Sequence, residues 1–330
     1  MDWKGKKVLV TGSEGFIGSH LTEKLVSLGA DVRAFVLYNS FGKWGWIDTF
    51  KESDKKKLDI FMGNICEAYN VKKAMEGVDV VFHLAALIGI PYSYYSPESY
   101  VSTNVMGTLN VLQAAREAGV KKIVHTSTSE TYGTAVYAPI DEKHPLQGQS
   151  PYSASKIGAD MMAESFCRSF DMPIAIIRPF NTYGPRQSAR AVIPTIISQI
   201  LSGSTKIKLG SLSPVRDLTF VSDTVRGFIK VAESDKSAGN VINIGSGKGV
   251  TIGELAEKIF ELTGSKPDIE SDGTRVRPQK SEVMKLICDN KKALDLLGWK
   301  PEYTLEKGLM ETIAFVRNNL GSYKPDQYNI

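Results

Sequence analysis

The chain has 330 residues, 42% of them hydrophobic, and a formal net charge of +4. That length can bury a large core and suggests two domains, or one domain carrying a sizeable lobe. The charge is too mild for a nucleic-acid surface: the densest basic stretch, Lys51 to Lys57, includes Glu52 and Asp54 and reads as a solvated loop. The longest apolar run, Val80 to Ile90, is interrupted by His83 and is too short to span a bilayer, so no membrane partner is expected. Met1-Asp2-Trp3-Lys4-Gly5 lacks the apolar core of a signal peptide. Cys66, Cys167 and Cys288 match neither a disulfide framework nor a zinc site, and the four histidines are scattered, so no metal is expected. These features point to a soluble, cytoplasmic protein.

In chain order, Lys6 to Thr11 reads as a short buried strand. It is followed by Gly12-Ser13-Glu14-Gly15-Phe16-Ile17-Gly18 and a helical pattern through Leu28. A glycine turn between strand and helix brings backbone N–H groups and the positive helix end against a pyrophosphate. Gly12 permits the tight turn, Gly15 the close approach and Gly18 the packing of helix on strand. A second strand over Val32 to Leu37 should end in an acid that holds the adenosine ribose of NAD. Tyr38-Asn39-Ser40 follows instead, with no carboxylate and no arginine for a 2′-phosphate, so Asn39 and Ser40 leave NAD and NADP both open.

Val78 to Leu84 reads as a strand ending in the small pair Ala85-Ala86, where a backbone can pass close to a cofactor. Tyr100 to Ala118 reads as an amphipathic helix ended by Gly119. Lys122 to Thr126 is the next buried strand, and its carboxyl end delivers Ser127-Thr128-Ser129-Glu130, where ligands bind in open α/β sheets. The helix carrying Tyr152 and Lys156 follows, then a strand over Ile174 to Arg178. Tyr152 and Lys156, four apart, share a helix face, and a nearby ammonium would stabilise phenolate and make the tyrosine a usable base. Alternating strands and helices argue a doubly wound parallel sheet covered on both faces. From about Asn181 the alternation weakens and loops lengthen, as for a second lobe folding over the cofactor. The expected division gives residues 1–180 and about 217–245 to the dinucleotide domain, and about 181–216 and 246–330 to the substrate lobe. Gly245 to Gly249 resembles a phosphate loop, but Ile242 and Gly249 stand at key positions of that pattern and the segment leads to Thr251 as a helix cap. Arg186, Arg216 and Arg277 in the lobe suggest a diphosphate clamp.

These residues carry a resemblance over essentially the whole chain to the extended short-chain dehydrogenases/reductases, whose fold is a Rossmann sheet with a smaller C-terminal substrate lobe. The matching strings are Gly12 to Gly18, Val80-Val81-Phe82-His83-Leu84-Ala85-Ala86, Asn104-Val105-Met106-Gly107-Thr108, Tyr152 to Lys156, Arg178 to Arg186, and Arg277-Pro278. The resemblance implies a tightly held, regenerated nicotinamide cofactor, a nucleotide-sugar substrate, and homodimers through the helices around Thr108 and Ala159. It implies cofactor contacts from Asn64, Ile65, Leu84, Asn104, Thr126 and Pro179, besides the glycine turn with Glu14, Phe16 and Ile17. It also implies substrate contacts from Asn181 and Val192. Thr128-Ser129-Glu130 resembles the triplet of nucleotide-sugar 4,6-dehydratases, in which Tyr152 with Lys156 and Thr128 serves oxidation at C4 and Glu130 takes the C5 proton as water leaves C6. Glucose-nucleotide dehydratases typically carry Asp where Ser129 stands; the triplet here is similar to that of GDP-mannose dehydratases.

Tyr38-Asn39-Ser40-Phe41, Trp44-Gly45-Trp46, Gln149 to Tyr152 and Arg186 to Pro194 are similar to legionaminic-acid-type 4,6-dehydratases, which act on N-acetylglucosaminyl nucleotides in glycan biosynthesis. UDP-glucuronate decarboxylases share the Thr-Ser-Glu triplet, although their helix usually reads Tyr-Asp-Glu-Gly-Lys. Nucleotide-sugar 4-epimerases share the fold but lack the glutamate. A non-catalytic, cofactor-sensing protein of the same fold would tend to lose the tyrosine or the lysine, and both stand here.

Overall fold

The structure is a computed structural model that describes residues 1–325, 327 and 328. Its centre is a parallel sheet of seven strands: β1 (Lys7–Thr11), β2 (Asp31–Leu37), β3 (Leu58–Gly63), β4 (Val80–His83), β5 (Lys122–Thr126), β6 (Ile174–Pro179) and β7 (Val241–Ile244). The spatial order is β7-β6-β5-β4-β1-β2-β3. Strands β1 and β4 are buried on both faces, which is why they read as continuous apolar runs rather than alternating ones. The chain winds one way from β1 through β2 to β3 and the other way from β4 onward. A crevice therefore opens at the carboxyl ends of β1 and β4, the place where such sheets hold ligands.

Helices cover both faces. On one side Leu21 and Leu25 of α1 (Phe16–Ser27) join Val8, Val10 and Phe82 in a single apolar cluster. On the other, Val111 and Leu112 of α2 (Gly107–Glu117) and Ala163 and Phe166 of α3 (Pro151–Phe170) pack on Leu9, Val81 and Ile123. Beyond β6 the chain forms α4 (Val192–Leu201) and returns as α5 (Val221–Glu233) to pack with α1. It then builds α6 (Ile252–Thr263) and α7 (Leu305–Asn318) around short two-stranded sheets. Thr251 caps α6 through a reciprocal capping box with Glu254. No helix among the described residues is long and apolar enough to cross a membrane.

The helix expected over Tyr100–Ala118 is interrupted. Pro97–Tyr100 is followed by a π-helical turn, Val101–Met106, before α2 begins. Asn104 sits in that turn with its side chain drawn inward, accepting from Leu87 N–H and donating to Leu87 C=O, each at 2.9 Å. A tertiary polar demand of this kind is invisible to helical periodicity, and π turns recur where function bends a helix. The phosphate-like loop at Gly245–Gly249 is explained by Asp217: its carboxylate takes the N–H groups of Ser246 (2.7 Å), Gly247 (2.8 Å) and Cys288 (3.0 Å). Those donors are spent on an internal acid.

A buried charge network ties α3 to the sheet. Asp160 accepts from Ser127 (2.5 Å), Arg178 (2.8 Å) and His125 (3.1 Å), and its side chain is fully buried. Burial alone would raise its pKa, but the His125 N–H and the Arg178 guanidinium hold the carboxyl far below its ordinary range. Removing one partner of such a pair leaves a buried charge uncompensated. Asp160→Ala is expected to lose about 3–5 kcal/mol of stability in urea unfolding at neutral pH. Because the folded pKa is depressed, this contribution is present above the ordinary carboxylate pKa and is lost as the pH falls toward the depressed value.

Candidate active site

The glycine turn is built by close contact. Gly12 has φ +70°, and a Cβ there would stand 2.8 Å from the Ala85 backbone nitrogen. Gly18 lies over the Gly12 carbonyl, with no room for a side chain. Backbone of β1, α1 and the β4 loop thus pack together without intervening side chains, as a dinucleotide turn requires. Thr11 locks the arrangement. Its hydroxyl accepts from Leu84 and Ala85 N–H, both at 3.1 Å, so its proton goes to His83 Nδ1 at 2.8 Å. The Thr108 hydroxyl donates to the Asn104 carbonyl (2.6 Å) and so accepts from His83 Nε2 (3.0 Å). His83 is therefore a neutral Nε2–H tautomer, and burial drives its pKa well below the usual value. His83 and His125 are buried and hydrogen-bonded within the fold, and no group of three or more metal-ligating side chains occurs among the described residues.

At the carboxyl end of β5, Thr128 caps a 3-10 turn of Ser129–Tyr132, its hydroxyl accepting from Glu130 N–H at 3.2 Å. Opposite stands the start of α3. Ser150 and Ser153 form a reciprocal capping box and Pro151 occupies the first turn, which fixes where the helix begins. Tyr152 and Lys156 then face inward, 7% and 4% exposed. Lys156 Nζ donates to the Thr126 carbonyl at 2.6 Å, and the Tyr152 ring packs edge-on to Tyr100 with centroids 6.2 Å apart. Asn104 supports this group from behind by donating to Ser155 Oγ at 2.9 Å.

Electrostatics here differ from the expectation drawn from helix spacing. Burial pushes the Tyr152 pKa above its ordinary value; the Thr128 hydroxyl opposes this by hydrogen-bonding the phenol, and the Glu130 carboxylate reinforces it. Burial likewise lowers Lys156 to about 8. For both groups desolvation is the largest cause, and it opposes the charged form of each.

These groups line one continuous cavity of about 770 Å³ that runs from the glycine turn to the segments after β6. Towards the glycine turn its lining holds Gly12, Glu14, Gly15, Phe16, Ile17, Gly18, Asn64, Ile65, Leu84, Ala85, Ala86, Thr126 and Pro179. Around its middle stand Thr128, Ser129, Glu130, Tyr152 and Lys156, and beyond them Asn181, Val192, Arg216 and Arg277. Four expected residues stand off that lining. Asn39 is consumed by its own turn, accepting from Phe41 and Lys43 N–H and donating to Lys43 C=O, and Ser40 follows it on that turn. Asn104 acts one layer behind the wall. Arg186 turns the other way, pairing with Glu23 at 2.9 Å and lying over the Phe50 ring.

The cavity also holds residues that spacing did not single out. Arg190 reaches it from the loop before α4 and fills the space beside Gly89. Arg275 joins Arg277, and Glu282 bridges Arg216 (2.9 Å) and Arg277 (3.7 Å). The density of basic residues between Arg186 and Arg190, and between Arg275 and Arg277, was the available signal; which arginine faces inward depends on tertiary packing. Glu14 is the other surprise. One oxygen accepts from the N–H of Leu37, at the end of β2, at 2.9 Å, whereas the other is buried without a partner.

A parallel sheet with a glycine turn at its switch point, and a Tyr–Lys pair facing a Thr-Ser-Glu turn, define an extended short-chain dehydrogenase/reductase. The chain belongs to the GDP-mannose 4,6 dehydratase family, whose model matches residues 9–312. It is 31% identical over 328 residues to the mouse dTDP-D-glucose 4,6-dehydratase, covering 97% of this chain and 91% of that one. Among solved structures, the dTDP-glucose 4,6-dehydratase of Streptomyces venezuelae, with NAD bound, superposes with a TM-score of 0.86 at 30% identity, covering 97% of this chain and all of that one. The UDP-N-acetylglucosamine 4-epimerase of Methanobrevibacter ruminantium also gives a TM-score of 0.86, at 31% identity, covering 96% and 99%.

Proposed function

We propose that this protein is a NAD-dependent nucleotide-sugar 4,6-dehydratase acting on a UDP- or GDP-linked N-acetylglucosamine. Glu130 carries the reading: a carboxylate, 8% exposed, that lines the cavity on the turn facing Tyr152. It sits close enough to influence the charge of both Tyr152 and Arg216. An epimerase has no need of a base beside the tyrosine. The Gln149–Tyr152 and Arg186–Pro194 strings favour an N-acetylglucosaminyl substrate. The NAD-bound Streptomyces relative supports the cofactor, and Glu14, Asn64, Ile65, Ala85 and Ala86 fit a dinucleotide along the cavity wall.

Bound NAD would supply reversible redox chemistry, accepting hydride from C4 and returning it at C6. Tyr152 accepts the C4 hydroxyl proton, with Thr128 hydrogen-bonded to the phenol. Lys156, anchored on the Thr126 carbonyl, steadies the phenolate. Glu130 removes the C5 proton made acidic by the C4 ketone. Ser129 is buried and its hydroxyl is a weak acid, so Glu130 also returns a proton to the departing C6 oxygen. Arg216 and Arg277 receive the diphosphate, both cations being suited to bidentate contact. Residues 1–180 and about 217–245 hold the dinucleotide, and about 181–216 and 246–330 the nucleotide sugar. The protein works in the cytoplasm as a homodimer through the helices around Thr108 and Ala159. Those two residues face inward, so the contact falls to Met106 and Met161, which are 49% and 43% exposed.

Incubation with a panel of UDP- and GDP-sugars, scored by mass, tests this. An N-acetylglucosaminyl nucleotide should lose one water with no added oxidant, and denatured protein should release NAD. Loss of carbon dioxide from a glucuronate substrate would indicate the decarboxylase instead. An unchanged mass with inverted C4 would indicate an epimerase.

A further inference from the structure

We propose that Glu14, inside the glycine turn, is the acid that recognises the adenosine ribose hydroxyls and selects NAD over NADP, in place of a carboxylate at the end of β2. The inference rests on the dinucleotide reading of the cavity above. Strand β2 ends at Leu37, and the residues after it offer no carboxylate before Asp48. Glu14 reaches that strand end from the other side. Its carboxylate accepts from Leu37 N–H at 2.9 Å, and both residues line the cavity. The carboxylate is thus fixed at the carboxyl end of β2, although it belongs to the turn after β1.

Its second oxygen has no hydrogen-bond partner. The nearby loop does not supply one. Trp46 N–H donates to the Glu14 backbone carbonyl (3.1 Å), Gly45 packs on its Cβ, and the Trp44 indole N–H is itself unpaired. A buried carboxylate oxygen without a donor is costly, and burial pushes the Glu14 pKa upward, consistent with an unmet demand for hydrogen bonds. Vicinal ribose hydroxyls are donors of the kind it lacks. A 2′-phosphate in the same place would remove one donor and set two anions together.

Asn39, the residue that pattern would assign to this task, is occupied by four side-chain hydrogen bonds to backbone groups between Leu37 and Lys43. Gln fits Glu14's space and still accepts from Leu37 but loses the charge, which separates ligand recognition from a bracing role. Equilibrium competition between NAD+ and NADP+ for the purified protein provides the test, read by direct titration. The wild-type protein should prefer NAD+ by about a hundredfold, the range of a charge-assisted hydrogen bond with added phosphate repulsion. Glu14→Gln should shrink that preference at least about tenfold, Glu14→Ala should move it the same way, and Asn39→Ala should leave it unchanged. Equal wild-type affinity for the two nucleotides overturns the proposal, as does an unchanged preference in Glu14→Gln. Selective NAD+ binding that depends on Glu14 upholds it even if no nucleotide sugar is dehydrated, a result that removes the reaction alone.

Discussion

Tyr152→Phe is expected to lower turnover by ~10²–10⁴-fold while leaving the protein folded and able to bind NAD. The substitution keeps the ring that packs edge-on to Tyr100 and deletes only the phenolic oxygen, whose ionisation the nearby Thr128 hydroxyl favours. Lys156 stays anchored on the Thr126 carbonyl, and the reciprocal cap of α3 lies outside the change. What disappears is the group proposed to accept the C4 hydroxyl proton. Rapid mixing of NAD-loaded variant with sugar nucleotide should therefore show little reduced nicotinamide absorbance. Substrate affinity should change far less, because the arginines proposed to receive the diphosphate are untouched. A near wild-type rate of cofactor reduction would remove Tyr152 from the proton path.

Glu130→Gln should give the opposite signature. The amide preserves size, and the Thr128 cap engages only the backbone N–H of residue 130, so the turn survives. With Tyr152 and Lys156 intact, oxidation at C4 should proceed, and on the proposed mechanism no base would remain for the C5 proton. Reduced nicotinamide should accumulate on the protein while release of dehydrated product falls by ~10²–10⁴-fold, the range for loss of general acid–base catalysis. Wild-type enzyme turning over in deuterated water should return product labelled at C5. Product without that label would exclude elimination through a solvent-exchanging base. A variant that loses stability and traps no reduced nicotinamide would assign Glu130 a bracing role only.

Much of the frame was legible because it rests on short-range rules. The apolar run of β1, the glycine spacing after it and the Ser150-Pro151 start of α3 each have a local physical reason, and these three place the cavity's floor. The Thr-Ser-Glu turn was legible as the carboxyl end of a buried strand. Orientation was not. Arg186 and Arg190 are four residues apart in one loop, yet Arg186 pairs with Glu23 and Arg190 enters the cavity. Which way each turns depends on an acid on α1, far away in sequence. The phenol's pKa departs from expectation for a related reason: helix spacing shows that Lys156 is near, but the cost of burying both groups arises only once the sheet has closed around them. Asn104 and the π turn belong to the same class, since their purpose lies in the backbone at Leu87.

The position of β7 also bears on how the protein is made. Strand β6 is complete when Pro179 is synthesised, yet its outer neighbour begins only at Val241, after α4 and α5. At ~5–20 residues per second, the ribosome needs several seconds to supply the intervening sixty or so residues. Throughout that interval β6, whose sequence is Ile-Ala-Ile-Ile-Arg-Pro, presents an apolar strand with unpaired backbone groups. Nascent chains crowded on one message would therefore be most prone to pair with each other at this edge. Slower translation between residues 180 and 240, or missing holdase chaperones, should reduce soluble yield while leaving the finished fold's stability unaltered.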